Sequence, residues 1–418
     1  MDCSFQIFTD GQWVDCAELH VHGSGKSTFV YDTRFAFAHS ECVSLKYPVT
    51  VDEYEREGLP AFFYDLIPQG DGRKFLLGEL QLGDGPDADF RLACAGAFNP
   101  IGRLRIAEAV DFFQQHVARY EPRDEGLRLE DIAGRSEDFT ETMHIHGMLA
   151  GGTTGVQGAA PKFLLTKARD GLWYGDGILP DKHATAHYIV KGPRGRAEAD
   201  RKVLRNEAAY MGVARALGIR TYAALELVGQ MLFIPRFDRE VKGETVIRHH
   251  QESVASIANL AGFGLTASLF DIVKAIRAVV TDPTAETIEF IKRDVLNLAM
   301  ANKDNHARNT AVQIVGGSVA LTPLFDFAPM FLDPEGIPRV LRWFDPNTRR
   351  ELNDWGAIMT ALALEPAEDE RVRAELALFG SELGRLADIM AAEGVDDDII
   401  QFCRQAMQTQ AAQLQNLA

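Results

Sequence analysis

The sequence predicts an α+β protein with two lobes and a β-rich unit ahead of them, and three patterns support this prediction. Short alternating apolar runs, separated by Asp-Gly and Gly-Ser-Gly turns, fill the first 107 residues. A strand–turn–strand pattern with one amphipathic helix follows, up to about residue 240. From Leu269 onward, apolar residues recur every three or four positions, as in helices. We therefore divide the chain into an N-terminal β-rich subdomain, a sheet lobe and a mainly helical C-terminal lobe: residues 1–107, 108–240 and 241–418.

The elements of the β-rich subdomain and its flank follow from the same periodicities. Alternation predicts strands at residues 5–8, 12–14, 19–21, 27–31 and 104–106. Helical spacing predicts helices at residues 60–67, 72–82 and 107–120. The charged stretch 121–138 is predicted to be a linker or surface loop.

The remaining elements form a small sheet followed by helices. Strands are predicted at residues 162–167, 187–191, 225–227 and 231–235. Helices are predicted at residues 201–217, 269–280, 285–301, 355–363, 371–392 and 396–415. Gly218 supplies a C-terminal stop for the first of these helices. A hairpin is predicted at residues 310–322, turning at Gly316-Gly317-Ser318. This order suggests two lobes with a cleft between them.

Composition excludes several classes of protein. The net charge of −17 over 418 residues argues against a protein that grips nucleic acid through a broad basic surface. The five cysteines are scattered and contain no C-x-x-C pair, which favours free thiols in a reducing compartment. The first residues lack the blocks of a signal peptide, and no run of about 20 apolar residues occurs. A cytoplasmic protein without a membrane span is therefore expected.

The stretch Asp304-Asn305-His306-Ala307-Arg308-Asn309 is the most informative motif. Residues five apart do not share a helix face, so this spacing predicts a loop. Phosphoryl transfer uses such a loop, with an Asp that accepts the hydroxyl proton, an Asn that holds Mg²⁺ and a second Asp after a hairpin. Asp326 stands in that last position. For the Asp304 to Asn309 motif alone, the alternative interpretation is a capped turn at the end of a helix. The presence of Asp326 favours the catalytic interpretation.

Two features ahead of this loop suit a nucleotide. Residues 151–158 form a Gly-rich segment with two threonines, whose backbone N–H groups and hydroxyls are typical donors to phosphate. Lys191 ends a predicted strand about thirty residues later, where an amine can reach phosphates, held by a helix carboxylate such as Glu207. The alternatives are an ordinary loop and an ordinary exposed lysine.

The segment Pro235-Arg236-Phe237-Asp238-Arg239 follows an apolar strand and has two compatible interpretations. Its backbone can offer hydrogen bonds to an adenine edge, and its charged side chains can form a salt-bridge cluster that braces the lobe junction.

Two other motifs are discounted. The end of a P-loop resembles the segment Gly23-Ser24-Gly25-Lys26-Ser27-Thr28. The full P-loop pattern, however, requires Gly at the position of His20 and a helix after the loop, and neither is present in the sequence pattern. We assign this segment to a hairpin turn. The histidine pairs at 20 and 22, 144 and 146, and 249 and 250 lack further metal ligands at a usual spacing.

Several of these motifs, in this order, resemble the HipA family of bacterial serine/threonine kinases, the toxins of type II toxin–antitoxin pairs. The resemblance covers most of the chain and rests on these segments: Phe62-Phe63-Tyr64-Asp65-Leu66-Ile67-Pro68-Gln69-Gly70, Gly155-Val156-Gln157 with Pro161-Lys162, Ile189-Val190-Lys191, Asn206-Glu207, Arg236-Phe237-Asp238-Arg239, Asp304 to Asn309, and Leu321 to Asp326. It implies a kinase-like core with an extra N-terminal β domain and a helical C-terminal lobe.

The resemblance also implies roles for residues. Asp304 would be the catalytic base, with Asn309 and Asp326 as the other catalytic residues that hold Mg²⁺. The ATP-binding residues would be Thr154, Gly155, Val156 and Gln157 of the phosphate loop, Lys191 on the phosphates, Pro235, Arg236 and Phe237 at adenine, and His306 and Arg308 in the catalytic loop. His306 would brace that loop rather than take protons.

This chain departs from the family pattern in two places. Gly158-Ala159-Ala160 interrupts a segment that is usually continuous, so the phosphate loop is longer. Where family members carry an autophosphorylated serine, this chain has Gly152, Thr153 and Thr154, and threonine phosphorylation there would repel nucleotide.

The resemblance implies an ATP- and Mg²⁺-dependent protein kinase acting as a toxin, with an aminoacyl-tRNA synthetase as a plausible substrate. A small DNA-binding antitoxin is the implied partner, and DNA contact would run through it. The alternative is a catalytically inactive kinase-like scaffold that binds an antitoxin/DNA complex, and four intact candidate residues argue against it.

Overall fold

A computed structural model describes residues 1–119, 126–145, 160–334 and 336–417. The chain forms two compact units, each assembled from two segments. The first unit contains Met1–Arg194 and Glu226–Phe263, and the second contains Gly195–Leu225 and Gly264–Ala418. The three-part division at residues 107 and 240 stays a prediction.

The first unit begins with an antiparallel sheet in the order β4-β3-β2-β1-β5. Its strands are β1 (Asp2–Thr9), β2 (Gln12–Val21), β3 (Lys26–Tyr31), β4 (Tyr54–Glu57) and β5 (Leu104–Ile106). The turn between β2 and β3 contains the segment that resembles the end of a P-loop. In this turn the His22 backbone N–H donates to the Lys26 carbonyl at 2.8 Å. The predicted hairpin turn is confirmed, since a strand follows this segment rather than a helix.

The described helices around this sheet number six, and four of them were not predicted from the sequence. They are α1 (Thr33–Ala38), α2 (Gly70–Glu79), α3 (Pro86–Gly96), α4 (Ala107–Val117), α5 (Leu129–Gly134) and α6 (Glu137–Ile145), with a 3₁₀ turn at Ala61–Leu66. Helices α1, α3 and α6 were not predicted, although Pro86 at the first position of α3 is a standard start signal. The stretch predicted to be a loop contains α5, because its charges face solvent while Ile132 is buried.

A second antiparallel sheet has the order β7-β6-β8-β10-β9. Its strands are β6 (Lys162–Ala168), β7 (Trp173–Gly175), β8 (Ala184–Lys191), β9 (Glu226–Val228) and β10 (Met231–Pro235), and a 3₁₀ turn lies at Asp181–His183. Phe163, Val190 and Phe233 of this sheet join Phe5 and Ile7 of the first sheet in one apolar core. The two sheets are therefore packed as a single body.

Short elements complete the first unit. They are β11 (Arg239–Lys242), β12 (Thr245–Arg248), β13 (His250–Ser253) and a one-turn helix at Val254–Ile257. Strands β11 and β12 form a hairpin that the sequence analysis missed, because its four-residue strands carry mostly polar side chains.

The second unit is mainly helical, as predicted. Its helices are α7 (Glu198–Ala216), α8 (Leu269–Arg277), α9 (Pro283–Ala299), α10 (Trp355–Leu362), α11 (Pro366–Leu383), α12 (Leu386–Ala392) and α13 (Asp397–Gln415). Its strands are β14 (Ala267–Ser268), β15 (Ala311–Val315), β16 (Ser318–Leu321) and β17 (Leu341–Arg342), with a 3₁₀ turn at Met330–Leu332. The single helix predicted at 371–392 is two helices, separated at Gly384 and Arg385.

Helix α9 lies at the centre of this unit. It packs against α8, α11 and α13, and Ile291, Val295 and Leu296 are fully buried. Because α9 is fixed on several sides, the loop that follows its C-terminus has a rigid base.

Among the described helices, none is long and apolar enough to cross a membrane. All five cysteines are free thiols.

Candidate active site

The segment from Asn302 to Thr310 forms a loop at the end of helix α9. Asp282 caps the start of α9 by accepting a hydrogen bond from the Ala285 amide at 3.0 Å. The helix ends at Met300, and Ala301 adopts a left-handed conformation with φ of 55°. This conformation stops the helix, so the predicted loop around Asp304 and Asn309 is confirmed.

Side-chain amides hold this loop in shape. The Asn309 side-chain N–H donates to the Asp304 carbonyl at 2.9 Å, and the Asn309 backbone N–H donates to the His306 carbonyl at 2.9 Å. Asn302 Oδ1 accepts from the Asp304 backbone N–H at 3.3 Å. The backbone at Asp304 is therefore fixed from both ends of the loop.

Asn305 fastens the same loop to strand β17. Its side-chain N–H donates to the Leu341 carbonyl at 2.8 Å, and its Oδ1 accepts from the amides of Val340 and Leu341 at 3.1 and 3.3 Å. The sequence analysis gave Asn305 no role. Its place beside Asp304 was visible in the sequence, but its partner lies more than thirty residues away.

Asp304, Asn309 and Asp326 line one small pocket of about 30 Å³. Asp326 follows the β15–β16 hairpin, as the sequence predicts, and adopts a left-handed conformation with φ of 53°. Asp is one of the few non-glycine residues that tolerates this region. The pocket has room for an ion or one or two waters, rather than for a nucleotide.

Two charged residues of α9 support the wall of this pocket, and the sequence analysis missed both. Arg293 donates to Glu289 Oε1 and to the Thr322 carbonyl at 2.7 Å, which fixes the strand exit that leads to Asp326. Asp294 accepts from Trp343 Nε1 at 2.9 Å and pairs with Arg339. Both residues lie on helix α9, and the helical periodicity of the sequence does not indicate which distant residues they contact.

The donor atoms at the pocket suit Mg²⁺. The side-chain nitrogen of Asn309 donates its hydrogen bond within the loop, so the side-chain oxygen Oδ1 is the atom of this residue that can bind a cation. Carboxylate and amide oxygens are hard ligands, and Mg²⁺ is typically held by one or two protein carboxylates together with phosphates and waters. No cluster of three or more His, Cys, Asp or Glu side chains with metal-binding geometry occurs in the described part of the chain.

His306 lies beside the carboxylate of Asp304. Its Nε2 is 3.4 Å from Asp304 Oδ1, and the two side chains are 29% and 18% exposed. Arg308 belongs to the same loop. The structure thus places both residues in the loop, while their contribution to nucleotide binding stays a prediction.

The remaining described candidates lie in the second sheet of the first unit. Lys191 is buried at the end of β8, opposite Leu232 of β10 and Lys162 of β6. Pro235 ends β10 opposite Tyr188, and Phe237 follows it. Thr154, Gly155, Val156 and Gln157, with Thr153, lie outside the described residues.

Arg236 is the centre of a fully buried ion cluster. It pairs with Asp176 and Asp238, and Arg239 pairs with Asp238 and donates to the Gly102 carbonyl at 2.6 Å. Burial by itself would raise the pKa of Asp238, but the charges of Arg236 and Arg239 hold it well below its ordinary value. The sequence allowed two interpretations of this segment, contact with adenine and a salt-bridge cluster. The Arg236 side chain forms the salt-bridge cluster. Contact of this segment with adenine stays a prediction.

Comparisons with known proteins agree with this architecture. The model of the HipA N-terminal domain matches residues 6–107, and the model of the HipA-like C-terminal domain matches residues 154–382. A comparison with curated protein sequences finds no significant match.

Two solved structures resemble the chain. HipA of Shewanella oneidensis, solved with HipB and operator DNA, aligns over 99% of this chain and 97% of its own, with a TM-score of 0.62 and 17% identity. The Helicobacter pylori proinflammatory kinase CtkA aligns over 56% of this chain and 89% of its own, with a TM-score of 0.39 and 13% identity. The predicted α+β fold, with its β-rich N-terminal part and mainly helical C-terminal part, is confirmed. Because the C-terminal family model alone spans more than half of the sequence, this chain belongs to the HipA family.

Proposed function

We propose that this chain is an ATP- and Mg²⁺-dependent serine/threonine protein kinase that acts as the toxin of a HipA-like toxin–antitoxin system. The observation that carries this proposal is the shared pocket of Asp304, Asn309 and Asp326. Phosphoryl transfer by protein kinases uses two carboxylates and an amide at one point. The spacing of residues in the sequence did not guarantee that these three side chains lie in the same pocket.

Each residue of the pocket has a distinct task in this proposal. The Asp304 carboxylate orients the acceptor hydroxyl and takes its proton, next to His306, which braces the loop. Asn309 and Asp326 hold Mg²⁺, which supplies positive charge against the phosphate oxygens. The catalytic gain then comes from positioning and charge stabilisation rather than from covalent chemistry.

The nucleotide contacts rest on the family resemblance and on the sheet of the first unit. Lys191 would bind the phosphates, Thr154 to Gln157 would form the phosphate loop, and the backbone of Pro235 to Phe237 would face adenine. The buried ion cluster of Arg236 supports this last segment by fixing the backbone that follows β10. Arg236 itself then acts as a positioning residue.

The proposed partner is a small DNA-binding antitoxin, because the similar Shewanella protein was solved together with HipB and operator DNA. The net charge of −17 favours DNA contact through that partner over direct contact. A translation component such as an aminoacyl-tRNA synthetase is the proposed substrate, and the free cysteines suit a cytoplasmic location.

Transfer of radiolabelled phosphate tests the proposal. The purified chain is incubated with Mg²⁺, γ-³²P-labelled ATP and a bacterial lysate, and labelled proteins are resolved by electrophoresis. The parent protein should label at least one lysate protein, and Asp304→Ala should abolish labelling while ATP binding measured by calorimetry persists.

Asp388→Ala is the matched control, because Asp388 is an exposed aspartate of the same unit. It should transfer phosphate at the parent rate. Equal labelling by Asp304→Ala and the parent would remove Asp304 from its role. ATP binding without any transfer by the parent would favour an inactive scaffold.

A further inference from the structure

The first unit contains a second cavity, of about 530 Å³, that the proposed kinase chemistry does not use. Trp13, Phe98, Phe113 and Trp173 contribute aromatic walls. None of the described residues predicted to bind nucleotide or metal lines it. Its volume and mostly apolar walls are typical of binding sites for small molecules.

Arg105 adds a positive charge to the lining of this cavity. Its guanidinium lies 4.1 Å from the centre of the Trp13 ring, and its Nε donates to Gln6 Oε1 at 2.8 Å. Within the described part of the chain no carboxylate forms a salt bridge with it. Arg248 differs, because it forms two hydrogen bonds with Asp181, at 2.7 and 2.9 Å.

We propose that this cavity binds a small planar aromatic molecule that carries one negative charge. The anionic group pairs with Arg105, and the ring packs against the aromatic walls. A single carboxylate matches the one arginine of the cavity that forms no salt bridge with a described carboxylate, and a planar ring matches the aromatic side chains. The proposal is independent of the kinase function, since it involves none of the described residues proposed for that site.

Calorimetric titration of the full chain with 2-naphthoate tests this inference. This probe has a planar double ring and one carboxylate. It should bind saturably with one molecule per chain, and saturating ATP should leave the affinity unchanged. The uncharged probe 2-naphthamide should bind the parent about tenfold more weakly than 2-naphthoate does, and 2-naphthoate should bind Arg105→Gln about tenfold more weakly than the parent. Each loss corresponds to one charge-assisted hydrogen bond.

Occlusion of the cavity supplies the decisive comparison. Val117 lines the cavity from α4 and is partly exposed, so Val117→Trp adds bulk without a change in the core. Val315→Trp is the matched control, at a 43% exposed valine of the second unit. Val117→Trp should abolish binding, and Val315→Trp should bind like the parent. Absence of saturable binding by the parent, equal binding by the two tryptophan variants, or displacement by ATP would overturn the proposal.

Discussion

The Asn309 side-chain amide donates a hydrogen bond to the backbone carbonyl of Asp304, at 2.9 Å. One residue therefore makes two contributions to the candidate active site. Its side-chain nitrogen closes the loop and positions Asp304, while its side-chain oxygen remains available to a cation. The spacing of five residues in the motif is the length that this closure requires.

Substitution of Asn309 separates these two functions. Asn309→Asp keeps an oxygen ligand but loses the N–H donor, so Mg²⁺ affinity should persist while the loop loses its closure. We expect kcat to fall about 10- to 100-fold, the usual effect of a lost positioning contact. Asn309→Ala should lose Mg²⁺ affinity as well. Steady-state kinetics with Mg²⁺ titration measure both, and a parent-like kcat for Asn309→Asp would show that the hydrogen bond is dispensable.

Asp326→Asn should remove Mg²⁺-dependent nucleotide binding without a loss of stability. Asn tolerates the left-handed conformation that Asp326 adopts, with φ of 53°, so the backbone is not strained. The substitution removes the negative charge and replaces one carboxylate oxygen with an amide N–H₂ group. Calorimetric ATP titration in Mg²⁺ and in EDTA should show binding by the parent that depends on Mg²⁺, and little such dependence in the variant.

Thermal unfolding is the control for that variant. Asp326→Asn should unfold at the temperature of the parent, within about 2 °C. Unchanged Mg²⁺-dependent affinity in a folded variant would exclude Asp326 as a metal ligand.

Asn305 should contribute to stability rather than to metal binding. Its side chain makes three hydrogen bonds to the backbone at Val340 and Leu341, and it is buried. Asn305→Ala should therefore lower the free energy of unfolding by about 2–3 kcal/mol, since each net hydrogen bond is worth about 1 kcal/mol. Denaturant unfolding measures this loss. Asn347→Ala, at an exposed asparagine, should change it by less than about 0.5 kcal/mol.

Short-range patterns predicted most of the fold and the loop conformation at Asp304 to Asn309. The helical period identified α9 and α13, and the alternation at 231–235 gave β10 with its bounds. These features depend on neighbours along the chain. The loop at Asp304 was equally local, because its closing hydrogen bond spans five residues.

Local sequence patterns did not predict the polar contacts between residues that are distant in the chain. The pairing of Arg236 with Asp176 spans 60 residues, and that of Asn305 with Leu341 spans 36. The charges of α5 suggested a loop, although one buried isoleucine anchors a helix there. A charged residue gives the same local signal on a solvent-exposed face and in a buried cluster, so sequence periodicity does not distinguish the two cases.

Loss of Arg236 should strongly destabilise the first unit. Arg236→Met fills a similar volume but leaves the buried carboxylates of Asp176 and Asp238 without their shared partner. Removal of one partner of a buried ion cluster typically costs about 3–5 kcal/mol. Denaturant unfolding should show this loss, whereas Arg201→Met, at an exposed arginine of α7, should show almost none. A loss below about 1 kcal/mol would mean that the cluster is not an essential brace.

The same cluster should make stability depend on pH below about 5. The pKa values of Asp176 and Asp238 are lower in the folded chain than the ordinary value of 3.8, because the arginine charges outweigh the effect of burial. Their stabilisation is fully present above the ordinary value. It is lost as the pH falls toward the folded pKa values, because the unfolded chain takes up protons first. Each carboxylate contributes a slope of up to about 1.4 kcal/mol per pH unit in this range. Denaturant unfolding between pH 7 and pH 3 should therefore show a shallower acid limb for Asp238→Asn than for the parent, and identical slopes would place the acid-sensitive groups elsewhere.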